Sequence, residues 1–98
     1  MILVRDVFRL KYGKAKDARA LLAESKKMMT ADEAARSRAM FDLTGPSYTL
    51  VWESTYKNLA DFETQMSAVF SRKEWGEWYQ KFMPLIEQSY REIFTLVD

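Results

Sequence analysis

Two short alternating runs, SRAMFDL (37–43) and SYTLVWES (47–54), meet around the tripeptide TGP, and this pairing restricts the fold more than any other stretch. Period-two alternation in β-branched and aromatic residues, broken by a loop with glycine and proline, reads as an antiparallel hairpin. In the second run Tyr48, Leu50 and Trp52 share one face, and Thr49, Val51 and Glu53 the other. Two more alternating runs lie near the chain ends. Residues 2–10 place Ile2, Val4, Phe8 and Leu10 on one side and Leu3, Arg5, Val7 and Arg9 on the other. The stretch QSYREIFTLV (88–97) sets Tyr90, Phe94 and Leu96 against Arg91, Ile93 and Val97.

Helical periods fill the space between the strands. From Lys14 the apolar positions Ala15, Ala18, Leu21, Leu22, Met28 and Met29 follow a 3.6-residue repeat, after a break at Gly13. TADEAAR (30–36) opens with Thr30 and Glu33 at capping-box spacing, which predicts a short extra turn. Asn58 is a candidate cap for a helix with Asp61 in its first turn and Leu59, Phe62, Met66 and Val69 or Phe70 as its inward stripe. Ser71 and Glu74 repeat the capping-box spacing and predict a second start there. Trp75, Trp78, Tyr79, Phe82 and Met83 then fall on one helical face, with a boundary near Pro84. That spacing reads the aromatic run KEWGEWYQKFMPL (73–85) as the inward face of the last helix, part of the subunit core, and leaves open whether Trp75 or Tyr79, at its margins, reaches a cleft mouth. Met28, Met29, Met66 and Met83 suit irregular packing.

The order strand, helix, strand, strand, helix pair, strand predicts a ferredoxin-like βαββαβ α+β fold: a four-stranded antiparallel sheet with helices on one face. At 98 residues there is one domain, covering 1–98. Its open sheet face would mix Leu3, Val7, Val51, Ile93 and Val97 with Arg5, Arg9, Thr49, Glu53 and Arg91. A face of that composition in so small a domain gains from contact with a second copy. Asp6 and Glu92 conflict with this scheme, since both fall on the otherwise apolar sides of neighbouring strands. The conflict is relieved if they lie at different strand ends, if a bulge slips the parity, or if one carboxyl has a raised pKa and a functional role.

Composition removes several functional classes. Fifteen basic and 14 acidic residues are interspersed along the chain, so no broad field for nucleic acid or anionic lipid is expected. Absence of histidine and cysteine excludes thiolate nucleophiles, disulfides, histidine-ligated haem and zinc sites of the usual kind. With no dense acidic cluster either, no metal and no cofactor are expected. No run is long and apolar enough to span a bilayer, and MILVRDVFRL carries charges where a signal peptide has its apolar centre, so a cytoplasmic protein is expected.

The segments FRLKYGKAKDARAL, FDLTGPSYTLVWES, NLADFE and KEWGEWYQKFMPLIE resemble the corresponding parts of NIPSNAP-like members of the dimeric α+β barrel superfamily. The resemblance covers nearly the whole chain and lies in layout rather than in a catalytic motif. It implies a homodimer in which two open sheet faces close a barrel that holds a small, partly apolar ligand. The superfamily also contains antibiotic-biosynthesis monooxygenases and haem-degrading enzymes. The latter use a histidine ligand for which this chain has no counterpart.

These readings converge on a small-molecule-binding dimeric barrel. One form is a cofactor-independent monooxygenase or isomerase acting on a small aromatic or oxo-acid metabolite. The alternative is a noncatalytic dimeric binding or accessory module. The ligand-cleft candidates are Arg5, Arg9, Thr49, Glu53 and Arg91 on the mixed strand face, Arg38 from the edge strand, and Trp52, which a parity change would turn into the barrel. The arginines could clamp a carboxylate or phenolate, or simply pair with acids of this or a second subunit. Glu53 could act as a general base only if burial raised its pKa.

Overall fold

The computed structural model describes residues 1–97. Strand β1 spans Ile2–Leu10, followed by helices α1 (Ala15–Met28) and α2 (Ala31–Arg36), the hairpin β2 (Ser37–Phe41) and β3 (Thr49–Tyr56), helices α3 (Leu59–Phe70) and α4 (Lys73–Phe82), a 3-10 turn (Met83–Leu85) and β4 (Ile86–Thr95). The sheet is antiparallel with strand order β2-β3-β1-β4. This is the ferredoxin-like α+β arrangement, and no helix among the described residues is long and apolar enough to cross a membrane.

Local chemistry accounts for most boundaries. Gly13 takes φ +79, a left-handed conformation that stops β1 from running on. The Thr30 hydroxyl accepts from the Glu33 N–H while the Glu33 carboxylate accepts from the Thr30 N–H, so the capping box is complete. The Asn58 side chain accepts from the Asp61 N–H at 2.8 Å and starts α3. The expected box at Ser71 does not form. Only two residues separate α3 from α4, and Ser71 is still in helical geometry, its N–H bonded to the Ser67 carbonyl. Arg72 takes the N-cap position of α4 instead, without a side-chain cap. Pro84 turns the chain through the 3-10 segment, where the Leu85 carbonyl accepts from Lys11 N–H at 2.9 Å.

The main core lies between the sheet and helices α1 and α4, around Leu10, Ala18, Leu21, Leu50, Trp75, Trp78, Phe82 and Leu85. A smaller cluster of Val4, Tyr56 and Phe62 forms under α3. Three positions assigned inward by periodicity come out partly into solvent: Leu59, Tyr79 and Met83 are exposed, as is Phe70, the alternative to Val69. The 3.6-residue stripe is broader than the strip of helix that a four-stranded sheet can cover, so its margins remain outside.

The parity of β4 differs from expectation. Leu10 pairs with Ile86, but Arg9 pairs with Gln88, so Glu87 is an extra residue at a bulge. Before the bulge Ile86 faces the helices; after it, Ser89, Arg91 and Ile93 do, while Tyr90, Glu92 and Phe94 join the open face. Arg91 and Ile93 are therefore not on the open face. Of the three explanations for the Asp6–Glu92 conflict, the bulge is the one realised: Asp6 stands opposite Arg91, and Glu92 opposite Arg5.

Candidate functional site

The strand register arranges the open face in rows across β2, β3, β1 and β4. Met40, Val51, Val7 and Tyr90 form an apolar row, and Arg38, Glu53, Arg5 and Glu92 form the next, alternating in charge. Glu53 is 1% exposed although it lies on the uncovered side of the sheet. Its carboxylate accepts from Arg5 Nε and Arg38 Nε, each at 2.8 Å, and from an Nη2 of each at 2.7 Å. Burial pushes the Glu53 pKa up, but the hydrogen bonds and charges of Arg38 and Arg5 outweigh it and hold the group below its ordinary value. A carboxylate held this way is a poor general base at neutral pH.

Five of the seven cleft candidates, Arg5, Arg9, Arg38, Thr49 and Glu53, do share the open face. Arg5, Arg9 and Thr49 line a depression of about 520 Å3 bounded on one side by the β2–β3 loop at Asp42, Thr44 and Pro46. Only the sheet forms its floor, and no second layer of the subunit faces it. The other two candidates lie on the opposite side. Trp52 points toward α4, its ring edge-on to Trp78 at 6.0 Å, and Arg91 sits beside Asp6, its Nε donating to Asp6 Oδ1 at 2.6 Å.

That opposite side holds a cavity of about 370 Å3 between the sheet and helices α3 and α4. Although the open-face depression is larger, the helix-side cavity is walled by two layers, which is how small-molecule sites bury most of a ligand. Its floor comes from alternate residues of β1 and β3: Val4, Asp6 and Phe8, then Trp52, Ser54 and Tyr56. The roof comes from Phe62, Met66 and Val69 of α3 and Trp75, Trp78 and Phe82 of α4. Phe70 and Tyr79, an edge-to-face pair at 6.3 Å and both exposed, also line it.

The aromatic wall is fixed in place. Trp78 stacks on Phe82 at 4.8 Å, and its indole N–H donates to the Leu21 carbonyl of α1 at 2.7 Å. Trp75 meets Trp78 edge-on at 5.6 Å, yet its own indole N–H is buried without a partner among the described residues. The run KEWGEWYQKF thus serves as core on one side and cavity wall on the other, a double role that periodicity does not separate.

Ionised groups enter at two places. Asp6 and Arg91 come from the sheet, and Glu33 and Arg36 from one face of α2, three residues apart. Glu33 is held by Arg72, whose Nη2 donates to both carboxylate oxygens at 2.8 Å. Burial raises the Glu33 pKa, but Arg72 and the Thr30 N–H together bring it below its usual value. Arg36 was not among the sequence candidates. Its signal was there in TADEAAR, where the capping box fixes the start of α2 and thereby the face that Arg36 presents.

Comparisons with known proteins agree with this architecture. The NIPSNAP family model matches residues 5–98. Protein Atu4242 from Agrobacterium tumefaciens superposes with a TM-score of 0.89 at 17% identity, covering 99% of this chain and 94% of that one. A NIPSNAP family protein of the same organism, Atu5224, also gives 0.89, at 19% identity over 99% and 86% of the two chains. A putative antibiotic biosynthesis monooxygenase from Deinococcus radiodurans gives 0.72 at 12% identity, over 100% and 94%. At these identities the solved structures establish the fold. A search of curated protein sequences finds no match.

Proposed function

The chain belongs to the NIPSNAP family, and from that premise we propose that it binds a small, planar, largely apolar molecule in the cavity between its sheet and helices α3 and α4, working as a homodimer. The observation that carries this reading is the cavity itself: about 370 Å3 walled by Trp52, Trp75, Trp78, Phe62 and Phe82. Aromatic walls favour flat apolar ligands, and the volume falls in the lower part of the ~300–1,000 Å3 range of small-molecule sites. A molecule of a few rings fits such a space.

The dimer is supported by the open face. Its apolar row of Met40, Val51, Val7 and Tyr90 flanks a charged row already neutralised around Glu53, so a second copy can cover it without stranding that carboxylate. A catalytic form of the function would use the lining polar groups to orient a ring hydroxyl, with Asp6 of the sheet floor, paired to Arg91, as hydrogen-bond acceptor. The monooxygenase-like neighbours favour that form.

Native mass spectrometry of protein purified from its own cells tests the binding function directly, with a retained aromatic metabolite as the expected result. Met66→Trp, which fills the cavity from α3, should abolish retention while the fold persists. Retention undiminished in that variant would move the site elsewhere.

A further inference from the structure

We propose that the ligand is an aromatic carboxylate whose acid group is received by Arg36. The proposal rests on the cavity being the ligand site and specifies what it takes. Four ionised side chains line the cavity, Asp6, Glu33, Arg36 and Arg91. Asp6 and Arg91 form an ion pair, and Glu33 is held by Arg72. Arg36 has no carboxylate within ion-pair distance among the described residues; its Nη2 donates to the neutral Gln65 Oε1 at 3.2 Å. Glu33, three residues earlier on α2, and Asp61, reached through Gln65, lie near enough to feel the Arg36 charge but do not bond it, so Arg36 is the lining cation without a bonded carboxylate among the described residues.

Its position favours an acid attached to a ring. The Arg36 guanidinium lies 5.2 Å from the centre of the Tyr56 ring, and Tyr56 meets Phe62 edge-on at 5.2 Å. The Arg91 guanidinium in turn lies 5.2 Å from the centre of the Phe62 ring. Two guanidiniums thus flank one aromatic pair, with Asp6 the single carboxylate bonded to either among the described residues. The two cations mark the Tyr56–Phe62 end of the cavity, while Trp75, Trp78 and Phe82 of α4 make the other end an apolar wall. A monoanion with a flat apolar body satisfies both ends. The guanidinium fork matches a carboxylate in planarity and spacing, whereas a neutral ligand would leave it unused and a phosphate dianion would bring one charge too many.

The test compares 2-naphthoate with its uncharged isostere 2-acetylnaphthalene, following the indole N–H resonances of Trp52 and Trp78 by NMR. The wild type should bind the acid more tightly than the ketone, and only the acid should weaken as salt is added. Arg36→Gln should weaken 2-naphthoate roughly tenfold or more and leave the ketone unchanged, with Arg36→Lys recovering part of the loss. Equal wild-type affinity for acid and ketone, or equal weakening of both by Arg36→Gln, overturns the proposal while the cavity function stands. Acid binding that leaves the Trp52 and Trp78 signals unmoved also overturns it, placing the acid on the open-face arginines. If neither probe binds, the cavity reading falls and the proposal with it. The wild-type salt dependence does not require a variant to fold.

Discussion

Replacing Glu53 by glutamine separates the charge of the open-face network from its shape. In the native protein one carboxylate serves two guanidinium forks, from Arg5 and Arg38. Glutamine retains one carbonyl oxygen but turns an amide NH2 toward a guanidinium, so one fork is lost and the other becomes uncharged at the acceptor. Hydrogen bonds to charged groups contribute about 1.5–3 kcal/mol and neutral ones about 0.5–1.5. The arginine side chains are 40% and 71% exposed, so water recovers part of the difference. The net loss is about 2 kcal/mol, which lowers Tm by roughly 10 °C in a domain of this size. Thermal unfolding followed by far-UV circular dichroism measures it. The pH dependence sharpens the test. Because the folded pKa of Glu53 lies below its unfolded value near 4.5, its stabilisation is complete above that value and is lost as pH falls through the folded pKa. Wild type and Glu53→Gln should therefore differ fully at neutral pH and converge on acidification below 4.5. An equal Tm at neutral pH, or a gap that persists undiminished in acid, would refute the account.

Two further outcomes follow from the packing. Trp78→Phe removes the indole bond to the Leu21 carbonyl and part of the contact with Trp52, and should cost about 2–3 kcal/mol in urea unfolding; a loss under about 0.5 would show that the bond is not what ties α1 to α4. Val51→Glu places a charge in the apolar row of the open face. Light scattering should report a dimer for the wild type and a monomer for this variant, with an unchanged circular dichroism spectrum; a monodisperse wild-type monomer at micromolar concentration would sink the homodimer.

Local signals made most of the fold legible. The capping box at Thr30, the cap at Asn58 and the alternation in β1 and β3 each depend on residues close in sequence, and each appears where the pattern places it. The failures arise where a second element decides. Tyr90 and Phe94 look as apolar as Ile93, and on an edge strand both sides stay half wet, so alternation alone does not say which faces inward. The extra residue at Glu87 makes that choice by pairing Arg9 with Gln88, and it carries Arg91 from one face to the other.

The cavity shows the same limit more sharply. Positions i, i+3, i+4 and i+7 are occupied by Trp75, Trp78, Tyr79 and Phe82 whether the face meets other side chains or empty space. What separates the two cases is the distance at which α3 is held, and that depends on the short α3–α4 junction at Ser71 and Arg72 and on the Arg72–Glu33 pair that ties the junction to α2. Those contacts join residues 39 positions apart in sequence. A helix stripe therefore encodes an apolar wall, while the volume in front of it is set by ion pairs and junctions elsewhere. The same separation explains why the indole N–H of Trp75, buried without a partner among the described residues, is not legible in the sequence: the stripe that sets Trp75 beside Trp78 does not say which of them meets an acceptor, as Trp78 does at Leu21.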